Sequence, residues 1–77
     1  MSPSLPAASG RDVLRALQRA GFEVRSVQGS HHVLVYPDTR TRIVVPVRVE
    51  RDLPRGTIRG VIRQAGLSVD EFCELLR

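Results

Sequence analysis

GSHHVLVYPDTRTRIVVPV, residues 29–47, is the stretch that decides the fold. His31 to Tyr36 is a run of β-formers bounded by Gly29-Ser30 on one side and Pro37-Asp38 on the other. Thr39 to Val45 repeats the pattern and stops at Pro46. Runs of this length between turn-forming pairs read as strands, and their short connections make them antiparallel neighbours. Alternation in the later strand sets Thr41, Ile43 and Val45 on one face and Arg40, Arg42 and Val44 on the other. In the earlier strand His31, Val33 and Val35 share a face, and His32, Leu34 and Tyr36 share the opposite one. The β-branched pair Val33 and Val35 is the better core set and Tyr36 the better surface residue. This reading sends His32 to an uncovered face.

Upstream, Phe22 to Gln28 reads as a further strand, completing a three-stranded meander. Before it, Ser9 is placed to cap a helix over Gly10 to Ala20, with Asp12 in its first turn and Gly21 at its end. Val13, Leu14 and Leu17 form its apolar side, and Arg11, Arg15 and Arg19 form a row along another. Downstream, Val47 to Leu53 reads as a loop. Pro54 opens a helix whose Ile58, Val61, Ile62 and Ala65 recur at helical spacing, closed by Gly66. Arg55, Arg59 and Arg63 make a second basic row on it, and Gly60 interrupts it at a cost of about 1 kcal/mol relative to alanine. Ser68 and Glu71 have capping-box spacing ahead of a short last helix, Val69 to Leu76. Helices on one face of a three-stranded antiparallel sheet give a two-layer α+β domain over residues 9–77. Residues 1–8, with Pro3 and Pro6 among small residues, read as a disordered arm.

The chain has 77 residues, so its core is thin. All twelve basic residues are arginine, and residues 1–66 hold eleven of them against five acids. Guanidinium groups match phosphate geometry, so this excess suits a phosphate-bearing partner, although a solvated arginine surface has the same composition. The single cysteine, Cys73, allows no internal disulfide and fits a reducing, cytoplasmic setting. No run is long and apolar enough to suggest a membrane span or a secretion signal.

Several chemistries are poorly served. One cysteine and two adjacent histidines do not make a zinc site, and no phosphate-loop pattern occurs. Ser30 beside His31 and His32 lacks the nearby acid of a nucleophilic triad. The histidines remain, because imidazole is the side chain that ordinarily titrates near neutral pH. A surface histidine without a role is the competing reading of either one.

The order of AGFEV (residues 20–24), Gly29-Ser30-His31-His32, Pro37-Asp38, Val45-Pro46-Val47 and LPRGTIRGVIRQAGLSVDEF (residues 53–72) resembles the HicA toxins of bacterial toxin–antitoxin pairs, over Gly10 to Leu76. The resemblance implies a double-stranded-RNA-binding-like α-β-β-β-α(α) fold. It also implies metal-independent, cofactor-free cleavage of mRNA and neutralisation by a HicB-type antitoxin. The family's catalytic histidine maps onto His32. Many relatives carry a histidine after the Val-Pro-Val segment, where this chain has Arg48.

On that resemblance, His32 is the expected general base. Ser30, His31, Tyr36, Arg42, Arg48, Arg55 and Arg59 are the expected RNA contacts, with Arg42 or Arg48 stabilising charge and the Tyr36 phenol a possible proton donor. The antitoxin is expected to cover His32 with an acidic surface. A non-catalytic RNA-binding module is the alternative that the layout alone supports equally, and a protein-interaction subunit whose open sheet face meets a partner is a third reading.

Overall fold

The computed structural model describes residues 4–48 and 51–77. Its elements run α1 (Gly10–Arg19), β1 (Glu23–Gln28), β2 (His31–Val35), β3 (Arg42–Pro46), α2 (Arg55–Ala65) and α3 (Val69–Leu76). The sheet is antiparallel in the order β1-β2-β3. All three helices lie with the core on one of its faces, and the other face is open. The α+β architecture is therefore the one the sequence patterns imply.

Local chemistry explains the helix boundaries. Ser9 and Asp12 form a reciprocal capping box at the start of α1, and Ser68 and Glu71 form another at the start of α3. Gly66 closes α2 in the left-handed conformation at φ 73°. β3 begins later than the alternation predicts. Residues 39–41 belong to a wide turn in which the Arg40 N–H donates to the Tyr36 carbonyl at 2.7 Å, and Arg40 itself adopts a φ of 60°.

Register decides which faces are buried. His32 pairs with Val45 and Leu34 with Ile43, and directly paired residues of an antiparallel ladder point the same way. Ile43, Val45 and Leu34 are all fully buried beneath the helices. The face carrying His32, Leu34 and Tyr36 is thus the helix-covered one, opposite to the expectation from side-chain type. Leucine fills the core, and the β-branched Val33 and Val35 are only half-buried on the open face.

The core joins Val13, Ala16 and Leu17 of α1, Phe22, Leu34, Ile43, Val45, Ile58, Val61, Ile62 and Phe72. It also takes in Leu5 and Ala8, which are 4% and 1% exposed. The Leu53 N–H donates to the Ala8 carbonyl at 2.8 Å, and Ser9 forms a bridge with Asp52. Through Leu5 and Ala8 the supposed arm packs onto the domain, because a thin core gains from every apolar side chain within reach. Residues 1–3 of that arm, and Val49 and Glu50 of the 47–53 loop, lie outside the described residues.

Candidate active site

Gly29 at φ 59° turns the chain between β1 and β2 and brings the histidine pair to the start of the central strand. Adjacent strand residues point oppositely, so the two imidazoles part. His31, paired with Gln28 and Pro46, is exposed on the open face. His32, paired with Val27 and Val45, is half-buried on the helix-covered face. Its Nδ1 is enclosed and has no hydrogen-bond partner among the described residues. The ring is therefore oriented by packing.

One flank of His32 is covered and the other is not. Val45 is fully buried, whereas Val27 is 53% exposed. β1 is an edge strand that the helices reach only partly, so every one of its residues is exposed. The imidazole thus sits at the boundary between core and solvent.

α1 begins at this same end of the sheet. A Cβ on Gly10 would strike the Pro46 carbonyl oxygen and lie 2.9 Å from the Val47 Cα, so only glycine allows the helix to approach β3 so closely. The Val47 N–H donates to the Ser30 carbonyl at 2.6 Å, extending the ladder past the His31–Pro46 pair. This approach places Arg48 beside the helix start, where Ser9, Arg11, Asp12 and Arg48 line a recess of ≈ 230 Å³. A second recess of ≈ 360 Å³ adjoins it, lined by Arg48, Arg51 and Asp52 among others. Arg11, a member of the basic row along α1, is a neighbour of Arg48. Gly10 directly after a capping serine was the signal available for it.

The remaining expected residues are scattered. Tyr36 shares the face of His32 but stands four residues further along the strand, ~13 Å at the usual rise. Its ring meets Phe22 edge-on at a centroid distance of 5.2 Å, so it is a packing residue remote from the imidazole. Arg42 pairs with Val35 and points to the open face, away from His32. Arg55 donates to the buried Leu5 carbonyl at 3.0 Å and pins the N-terminal segment. Arg59 is exposed on α2, one turn beyond it. Ser30 is half-buried in the turn, its carbonyl engaged by Val47. Of the α1 row, Arg19 is committed to the Leu75 carbonyl at 2.7 Å and to the Arg77 carbonyl. The structure thus groups Ser30, the histidine pair and Arg48 at one end of the sheet and leaves Tyr36 and Arg42 away from it.

The fold and this sheet end define a small α+β protein with a histidine on the central strand and an arginine-rich surface. Residues 10–67 match the family model described as the HicA toxin of bacterial toxin–antitoxin systems. That span is most of the chain, and the protein belongs to the HicA toxin family. A comparison with curated proteins finds no match. Membership makes the chain the toxin member of a toxin–antitoxin partnership. Among the described residues no helix is long and apolar enough to cross a membrane.

Proposed function

We propose that the protein is a metal-independent endoribonuclease that cleaves mRNA, with His32 as its general base. The observation that carries this reading is the half-buried imidazole at the edge of the core, at the sheet end where Arg11 and Arg48 gather. With Nδ1 enclosed, Nε2 is the nitrogen that meets substrate. It takes the proton of a ribose 2′-hydroxyl, whose oxygen attacks the adjacent phosphorus. The bond to the 5′-oxygen breaks, and that oxygen leaves with a proton supplied by solvent. The products are a 2′,3′-cyclic phosphate and a free 5′-hydroxyl. Arg48, which cannot exchange protons at neutral pH, would hold the phosphate whose negative charge grows in the transition state. This role suits the arginine that replaces a common family histidine. Tyr36 and Arg42 have no part in the step, given their distance and face.

The test is cleavage of a long unstructured RNA by the purified protein in EDTA, beside His32→Ala and His31→Ala. We expect His32→Ala to lose ~10²–10⁴-fold in rate, the usual worth of a general base. His31→Ala, which changes the open face only, should retain cleavage. Equal activity of wild type and His32→Ala would remove His32 from the site. Metal-dependent cleavage would remove the proposed chemistry. The antitoxin is expected to be an acidic HicB-type protein, and its addition should abolish cleavage at stoichiometric amounts.

A further inference from the structure

The open face of the sheet carries a feature that the reaction at His32 does not use. Arg25, Arg40 and Arg42 surround a depression of ≈ 500 Å³ with Val35 and Pro37 in its lining. Among the described residues no carboxylate lines it. Asp38 follows the lining residue Pro37 in the turn, and Glu23 meets Arg25 at 3.3 Å with both side chains more than half exposed. An exposed pair of this kind is weak and easily exchanged.

Two of the three arginines reach the depression through irregular backbone. The ladder between β1 and β2 shifts register between Val24 and Ser26, so Arg25 is the extra residue of a β-bulge. Bulges re-aim side chains. Arg40 holds a φ of 60°, a conformation that residues with a Cβ rarely adopt. It is held there by its N–H bond to the Tyr36 carbonyl and by the Tyr36 N–H bond to the Thr41 carbonyl at 2.9 Å. Arg42 arrives by ordinary strand geometry, opposite Val35. Irregularities on two separate segments thus converge three guanidinium groups on one spot.

We propose that Arg25, Arg40 and Arg42 form a binding site for a backbone phosphate of RNA, separate from the phosphate that is cleaved. The inference rests on RNA being the substrate. Three guanidinium forks present paired donors that match phosphate oxygens. The Val35–Arg42 pair lies three ladder positions from the His32–Val45 pair, ~10 Å along the strands and on the opposite face. The site therefore grips a phosphate elsewhere on the same RNA, which passes around the end of the sheet. An acidic protein would also meet the charge, but a protein interface needs an apolar centre. Val44 is the one large hydrophobic residue on this face with substantial exposure among the described residues, at 42%. The face carries no Phe, Tyr or Trp to stack bases, so binding should be indifferent to sequence.

The test uses the full chain carrying His32→Ala, so that binding is read without cleavage. The probe is a fluorescent 20-nucleotide oligouridylate, followed by anisotropy over a salt series. Adding Arg40→Gly and Arg42→Gln together should weaken binding at least tenfold near 0.1 M salt. It should also lower the slope of log affinity against log salt by about 0.7, the contribution of one phosphate contact to a single strand. Arg40→Gly suits the backbone at φ 60°, so the variant stays folded, which its melting temperature checks. Arg77→Gln, on the far helix, should leave affinity unchanged apart from a small general charge effect. Affinity and slope equal to those of the Arg77→Gln control would overturn the site. So would an equal loss of affinity for polyglutamate, which would mark an acidic-protein surface instead. Arginine-dependent binding by a wild-type protein that cleaves no RNA would sink the ribonuclease reading and leave the phosphate site standing. His32-dependent cleavage with arginine-independent binding would do the reverse.

Discussion

Gly10 opens α1 and Gly60 lies within α2, and their surroundings differ. A Cβ on Gly60 meets nothing within 4 Å, so the glycine serves no packing purpose. Gly60→Ala should stabilise the domain by up to about 1 kcal/mol, the propensity difference between the two residues. For a domain of this size that is a rise of roughly 4–8 °C in melting temperature. Gly10→Ala should do the opposite, because its Cβ strikes backbone atoms of Pro46 and Val47 that have no rotamer to yield. Thermal denaturation followed by circular dichroism checks both. A destabilised Gly60→Ala would mean that its helix face is covered in solution. At the same scale, His31 and His32 show why adjacent identical residues need not share a role. The pleat turns one to solvent and the other to the margin of the core.

At the scale of the element, α1 and α3 are short helices that depend on their ends. In α3 the Glu71 carboxylate accepts from the Ser68 N–H at 2.8 Å, and the Ser68 hydroxyl accepts from the Glu71 N–H at 3.1 Å. The backbone bond first, and the hydroxyl bond second, hold the Glu71 carboxyl below its ordinary value of 4.5. A depressed carboxyl contributes stability that is present above its ordinary value and is lost as pH falls through its folded value. The cap should therefore loosen in mild acid, and Ser68→Ala should return the Glu71 titration toward 4.5 in an NMR experiment. Ser68→Ala should also cost ~1 kcal/mol, typical of a lost N-cap. An unmoved titration would show that the cap is not formed in solution. At the other end of α3, Arg19 supplies donors to the last carbonyls and ties α1 to it. That tie explains why one member of an exposed arginine row is structural.

For the whole molecule, the thin core makes the N-terminal segment part of the fold. Leu5 is 4% exposed, and Arg55 holds its carbonyl. Leu5→Ala should cost ~2–3 kcal/mol, toward the low end for a buried leucine at the margin of a core. Denaturant unfolding measures it, and a change within error would mean that the segment is detached in solution. The charge distribution belongs to this scale too. No arginine is buried, so the basic surface extends over helices, loop and open sheet face alike. RNA affinity should fall steeply with salt.

The chain's local chemistry was sufficient for its elements. Capping pairs, glycine stops, and the turn pairs around residues 29–38 act over a few residues, and they alone specify three helices and a three-stranded meander. Alternation likewise sets Ile43 and Val45 on one shared face, which the structure buries. The face of His32 was not legible, because β2 is apolar on both sides and its own pattern is ambiguous. The pairing of Leu34 with Ile43 resolved it, and register is a relation between strands. The same holds for Arg48 beside Arg11, for Tyr36 set far from His32, and for the three arginines of the open face. Each depends on close approaches, a bulge and a left-handed turn residue. The sequence by itself determined which elements form and that a histidine stands on the central strand. Only the tertiary structure decided which side of the sheet that histidine faces and which arginines keep it company, because local propensity ends where packing between distant segments begins.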